Sequence, residues 1–194
     1  MSFIFQEIPA ESLRRNIQII TGDNSVLMSA GNSRMFSSSI ASCRYASELT
    51  FKPIAVCFLR PQKNTIRFID KNDYFTLSYF SPQYRHILNS FGSANAEKIE
   101  PNATPKGNIY YTESELVFEC RKIFNLEVIL SDEIQAIMTS EKKRSIYPGR
   151  EIPRMFVGEI EIGWYKVVDN FAKSDTGKLL PEANQARFLM SGEK

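Results

Sequence analysis

Pro53-Ile54-Ala55-Val56-Cys57-Phe58-Leu59 runs directly into Arg60-Pro61-Gln62-Lys63-Asn64-Thr65, and the change of character between the two halves decides the reading of this chain. The first half is a continuous apolar run of strand length, the pattern of a buried strand. It stops at Arg60-Pro61. The next segment, Asn64 to Asn72, reads as a short helix with Asn64 or Thr65 near its N-cap and Asn72 after its end. Such a junction gathers Arg60, Lys63, the side chains of Asn64 and Thr65, and backbone N–H groups in one place. A helix start carries partial positive charge and unsatisfied donors, so it accepts a phosphate readily. One or two cations and a hydroxyl complete a phosphate clamp. Taken alone, the same residues also read as a capped helix start with surface Arg and Lys.

Outward from this junction the chain alternates strands with short helices. Towards the N-terminus, Pro9 to Leu13 reads as a short helix and Ser25 to Gly31 as a strand. Phe36 to Ser42 is full of small hydroxyl residues. In a core strand those hydroxyls need partners, so the stretch either packs on an edge or faces a polar ligand. Towards the C-terminus, Tyr74 to Phe80 has the aromatic and β-branched composition of a strand. Ser81-Pro82 opens a helix with a capping hydroxyl and Pro at the first helical position. Tyr84, Ile87 and Leu88 give that helix an apolar face. Phe91 to Gly107 reads as irregular, Glu115 to Leu130 as strand-like, Ser131 to Arg144 as a polar helix and Met155 to Val168 as a strand. Residues 169–194 read as an extension over the surface or a partner subunit. Strands and short helices without regular βαβ alternation imply an antiparallel barrel with inserted helices.

Composition narrows the function classes. The 194 residues are 43% hydrophobic and 24% charged, with a formal net charge of +2. That balance fits an ordinary globular domain and gives no push towards nucleic acid or membrane. Lys142-Lys143-Arg144 is the densest basic group and reads as a solvated face. Three cysteines, Cys43, Cys57 and Cys120, without a CxxC motif, argue against a zinc site or a disulfide framework. A single histidine, His86, excludes a catalytic His pair within one chain. Residues 1–7 lack a basic start followed by an apolar core, and no run approaches a membrane span. A cytoplasmic protein that binds neither nucleic acid nor membrane is expected.

Two further candidate groups stand out. Ser37-Ser38-Ser39 with Ser42 offers hydroxyls and backbone groups to a ring with alternating donors and acceptors; the plainer reading is a polar strand edge. Phe91-Gly92-Ser93 with Lys98 combines a glycine that permits close backbone approach with a cation able to stabilise a reduced cofactor. The plainer reading there is a loop with a surface lysine. Trp164 and the aromatic run Tyr74–Phe80 read as core.

In their order and spacing these segments resemble the flavin-reductase-like FMN-binding split barrels, in the branch that includes flavoredoxin. Leu27-Met28-Ser29-Ala30-Gly31 matches a strand ending in Ala-Gly, and Phe36 to Ser42 stands where the family usually shows Phe-Asn-Thr-Met-Thr-Ala-Ser. Lys52-Pro53-Ile54-Ala55, Arg60-Pro61, Thr65, Phe68-Ile69 and Asn72 to Ser78 follow in the expected order. Glu119 to Lys122, Tyr147-Pro148 and Arg154 to Ile160 continue the match. The resemblance implies a six-stranded antiparallel split β-barrel of Greek-key type with short inserted helices, over residues 1–168, forming a homodimer with FMN near the subunit interface. Carried over position by position, it places Ser38, Ser39, Ile40 and Ser42 along the flavin. It places Arg60, Pro61, Asn64 and Thr65 at the ribityl phosphate, and Gly92, Ser93 and Lys98 at the closing loop. No catalytic side chain and no metal ligand is implied.

The chain also departs from the pattern. Cys43-Arg44-Tyr45 replaces Trp-Gly-Gly, Ser37-Ser38-Ser39-Ile40 replaces Asn-Thr-Met-Thr, and Pro153 replaces a commonly found His. Ser93-Ala94-Asn95-Ala96-Glu97 shortens a Ser-Gly-Arg-Asp stretch. The phosphate end is kept while the ring end has changed. Three readings stand at this point. The first is an FMN-dependent oxidoreductase, flavin reductase or flavoredoxin-like carrier with NADH, NADPH or a partner protein as donor. The second is a split-barrel module that holds flavin or another ligand without turnover, and the third a dimer of structural or regulatory use with an empty site.

Overall fold

A computed structural model describes residues 3–13, 25–46, 52–60, 63–92, 98–127 and 153–168. The expected helix over Ser131–Arg144 and the extension over 169–194 lie outside the described residues. The chain divides into two compact units, Phe5–Lys166, which holds the barrel, and Met1–Ile4 with Val167–Lys194. Among the described residues no helix is long and apolar enough to cross a membrane.

The barrel is built around three strands joined in sequence: β2 (Ser25–Asn32), β3 (Met35–Ala46) and β4 (Ile54–Leu59). The β2–β3 turn is held by Asn32, whose Oδ1 accepts from the N–H groups of Arg34 and Met35 at 3.0 and 3.2 Å. The next strand, β5 (Tyr74–Phe80), returns to pair with β2 rather than β4. Spatial order β5-β2-β3-β4 is that of a Greek key. Two long strands then close the ring. β8 (Leu116–Glu127) pairs with β5, and β9 (Arg154–Val168) pairs with both β8 and β4. Every pairing in this ring is antiparallel, giving a closed six-stranded barrel. β1 (Phe3–Glu7) adds a seventh strand beside β9. A helical turn over residues 10–13 follows it, where the sequence predicts one.

Strand alternation divides the apolar residues into two clusters. Val26, Met28 and Ala30 of β2, Phe75, Leu77 and Tyr79 of β5, and Phe118 and Cys120 of β8 fill the barrel interior. Leu27 and Phe80 point the other way and pack with Ile87, Leu88, Ile99 and Tyr111 into a second cluster. That outer layer explains why β5 reads as an unbroken apolar run: its side chains are buried on both faces from Phe75 to Phe80. Its cover comes from the helix α2 (Arg85–Ser90) and from a small hairpin, β6 (Pro101–Ala103) with β7 (Ile109–Tyr111). The hairpin lies in and just beyond a stretch whose Gly and Pro content predicts only irregular chain. Its strands of three residues are too short for a periodic signal.

The helix predicted after Arg60 is α1 (Thr65–Lys71), which packs on β2 and β3 and sends Ile66 and Ile69 into the interior. Asn64 occupies the N-cap position without a side-chain cap bond. Ser81 likewise makes no hydroxyl cap. The turn after it is a 3₁₀ turn (Pro82–Tyr84) that closes on the Ser81 carbonyl, which accepts from the Tyr84 N–H at 3.0 Å. Packing requires glycine at position 158, where a Cβ would lie 2.5 Å from the Phe75 ring.

Charges lace the β8–β9 seam. Glu159 accepts from Lys52 Nζ at 2.5 Å and from Arg121 Nη2 at 2.6 Å. Hydrogen bonding from Lys52, then from Arg121, holds the Glu159 carboxyl below the usual carboxylate range. A depressed carboxyl contributes stability above its unfolded pKa and loses it as pH falls through the folded one. Both cations are about half exposed, which keeps the contribution small. Glu159→Gln should therefore lower unfolding free energy by about 0.5–1 kcal/mol at neutral pH. Urea titrations across pH should show that difference vanishing on acidification; a difference that persisted below the carboxylate range would contradict the assignment.

Candidate functional site

β3 pairs with β2 over residues 35–41 and with β4 only over residues 42–46, so Ser37, Ser38 and Ser39 lie on a stretch that β4 does not cover. Their partners are other protein hydroxyls. Ser37 and Ser39 turn to the inner side, where both meet Thr65, the first residue of α1: Oγ to Oγ1 distances are 3.0 and 2.7 Å. Thr65 is fully buried, and Ser39 and Ser29 nearly so. Ser38 turns to the outer side, 2.7 Å from Ser29 Oγ on β2, and accepts from the Tyr111 hydroxyl at 2.8 Å. Burial pushes the Tyr111 phenol up, outweighing the hydrogen bonding with Ser38 and Ser29 that draws it back. It stays protonated at neutral pH and serves as a donor.

Alternation then places Ile40 and Ser42 on the outer side with Ser38, and both are exposed. Ser39 does not share that row. Adjacent residues of a strand cannot both present side chains to one ligand, and here Ser39, with Ser37, joins Thr65 instead. The Arg60–Thr65 turn follows β4 and is tied to β3 through Thr65. Within it the N–H groups of Lys63, Ile66 and Arg67 are taken by the carbonyls of Arg60, Lys63 and Asn64 at 3.0–3.1 Å. What the turn leaves outward are the exposed side chains of Arg60, Lys63 and Asn64. Pro61 lies outside the described residues.

The third candidate group reaches the same strand indirectly. Phe91 lies edge-on to Tyr111, with ring centroids 6.0 Å apart, and Tyr111 holds Ser38. Gly92 follows Phe91 with φ +85° and open space around it. Lys98 is exposed beside the buried Ile99, which belongs to the same cluster as Tyr111. Ser93 lies outside the described residues. His86 is exposed on α2, and Trp164 is half-buried against a cavity of about 180 Å³ that it shares with Phe5, Thr104 and Tyr110. Among the described residues no set of three or more His, Cys, Asp or Glu side chains is grouped to hold a metal.

Sequence reasoning missed Ser29 and Tyr111. Ser29 interrupts an apolar strand, and a buried hydroxyl there signals a partner across the sheet. Tyr111 sits in the short hairpin, where no periodic signal marks it.

The fold matches solved structures of flavoproteins. An FMN-binding domain of a flavin reductases-like enzyme from Shewanella baltica superposes with a TM-score of 0.57 at 13% identity, over 85% of this chain and 78% of that one. An NADH:FAD oxidoreductase from Streptomyces globisporus, in complex with NAD and FAD fragments, gives 0.53 at 13% identity, over 81% and 86%. Flavoredoxin from Methanosarcina acetivorans gives 0.50 at 16%, over 73% and 68%. Neither a family model nor a curated protein matches the sequence. At such identities the likeness shows a shared split-barrel fold.

The hydroxyl hub can be tested apart from any ligand. Thr65→Val keeps the shape but leaves Ser37 and Ser39 short of a partner inside the protein, and should cost about 1–3 kcal/mol. Thr65→Ser should recover most of it. Urea denaturation midpoints measure both, and equal stability for Thr65→Val and wild type would rule the hub out as a stabilising contact.

Proposed function

We propose that this chain is an FMN-binding flavoprotein, a flavin reductase-like oxidoreductase or flavoredoxin-like electron carrier that works as a homodimer. The observation that carries the reading is the coupling of the Arg60–Thr65 turn to the serine strand through Thr65. A cofactor with a phosphate at one end and a polar ring at the other needs its two recognition elements held at fixed separation. Here one buried hydroxyl sets that separation.

In this reading Arg60, Pro61 and Asn64 belong to the phosphate end, Arg60 and Asn64 with exposed side chains, and Thr65 ties that end to β3. Ser38, Ile40 and Ser42 form the outer row beside the ring, and Ser39 contributes through its backbone while its side chain braces Thr65. Gly92, Ser93 and Lys98 close the site, Lys98 offering positive charge to a reduced ring. Ser38 still has lone-pair capacity for a ligand, since a hydroxyl offers one donor and two acceptors. FMN, when bound, supplies the redox chemistry, and a reduced nicotinamide or a partner protein supplies the electrons. The side chains around the outer row bind and orient: beside Ser38 stand a serine and a protonated tyrosine, and no carboxylate or imidazole contacts it among the described residues.

Equilibrium binding separates these ideas. Wild-type protein should quench FMN fluorescence and purify yellow, and addition of NADH or NADPH should bleach the bound flavin if the chain is a reductase. Arg60→Ala should weaken FMN by at least tenfold, since a charge-assisted contact is worth roughly 1.5–3 kcal/mol, while leaving riboflavin binding little changed. Equal losses for FMN and riboflavin would remove the phosphate role. Absence of FMN binding by the wild type would remove the whole proposal.

A further inference from the structure

The cysteines, scattered in sequence, meet inside the barrel. Cys43 on β3 and Cys57 on β4 are directly opposed in the antiparallel register, and their Sγ atoms lie 2.9 Å apart. That separation falls between the roughly 2.0 Å of a covalent S–S bond and the roughly 3.5–4.0 Å of ordinary carbon contact. Opposed residues of an antiparallel pair have Cα atoms about 4.5–5.5 Å apart, inside the roughly 4.4–6.8 Å that a disulfide spans. The register therefore places the pair within reach of a disulfide. Cys120 is also in the interior, but on β8 it stands opposite Phe75 and Ile160 and has neither cysteine as a strand partner.

The two thiols differ in access. Cys43 is half-buried and Cys57 fully buried. Burial, then the neighbouring Cys43 sulfur, pushes the Cys57 thiol well up, so Cys57 stays protonated beside its half-buried partner. The thiolate is the reactive form, and exposure selects which cysteine is oxidised first.

We propose that Cys43 and Cys57 are a redox pair which a hydroperoxide converts to a cross-strand disulfide. The Cys43 thiolate attacks one peroxide oxygen, the O–O bond breaks, and that oxygen stays on Cys43 as a sulfenic acid. The departing oxygen leaves as hydroxide or alkoxide and takes up a proton. The Cys57 sulfur then attacks the Cys43 sulfur; the S–S bond forms, the S–O bond breaks, and the hydroxyl leaves as water with the Cys57 proton. Two thiols lose two electrons and two protons, and the peroxide is reduced to water or to an alcohol and water. A thiol reductant reverses the reaction by exchange. The bond would clamp β3, which carries the serine row, to β4, which feeds the Arg60–Thr65 turn.

The test uses the full wild-type chain, reduced, freed of reductant and treated with stoichiometric hydrogen peroxide. Ellman's reagent in denaturant should find two of the three thiols lost and restored by dithiothreitol. Peptide mapping should find one intramolecular bridge, joining the peptides of Cys43 and Cys57. Closing a loop of this size should raise Tm by roughly 5–10 °C. In Cys57→Ser, Cys43 should stop at a sulfenic acid that dimedone traps, and in Cys43→Ser the buried Cys57 should resist oxidation. Survival of all three thiols, a bridge through Cys120 or between chains, or an unchanged Tm would overturn the proposal.

Discussion

A buried hydroxyl is stabilised by a partner inside the protein, and β3 carries hydroxyls on both of its faces in the wall of a closed barrel. Leaving such a group unpaired costs about 1–3 kcal/mol, so the strand constrains what surrounds it. On the inner side Ser37 and Ser39 require Thr65, which fixes where α1 begins and therefore how the chain turns after β4. On the outer side Ser38 requires Ser29 and Tyr111, which fixes where the β6–β7 hairpin lies over the sheet. Tyr111 in turn supports Phe91 and Ile99, the residues flanking the third candidate group. Three segments far apart in sequence are thus referred to a single strand.

The apolar clusters do the bulk of the stabilising, and the hydroxyls set geometry. Burial of Phe75, Phe80, Phe118 and Phe156 removes large apolar areas from water without specifying register. Register comes from strand alternation, since a one-residue slip would exchange the two faces of β3 and strand every serine against the wrong neighbour. Gly158 adds a steric condition at the Phe75 ring. Polar and apolar terms therefore act on different aspects of the same fold.

Much of this was legible in the sequence. The apolar run Pro53–Leu59 and the aromatic run Tyr74–Phe80 announced β4 and β5, and the long alternating stretches announced β8 and β9. Closure into a six-stranded barrel came from the ordered resemblance, because strand pairing partners leave no local trace. The hairpin Pro101–Tyr111 was hidden by its Pro and Gly content and by strands of three residues. The candidate set Ser38-Ser39-Ile40-Ser42 read as one surface, yet period-two geometry sends Ser39 to the other side, where burial and Thr65 claim it. Asn64 and Ser81 have the composition of caps, but neither makes a side-chain cap bond, and the 3₁₀ turn after Ser81 closes on its backbone carbonyl. The pairing of Cys43 with Cys57 depends on a register that spacing does not encode.

The proposed ligand face joins the outer row of β3 to the turn after β4. Amide hydrogen exchange on the wild-type chain, with and without FMN, tests it most directly, because it reads both elements without any mutation. FMN should slow exchange together in residues 37–42 and 60–65. Protection confined to the cavity walls at Phe5, Thr104 and Trp164, or FMN binding without protection of either segment, would contradict it.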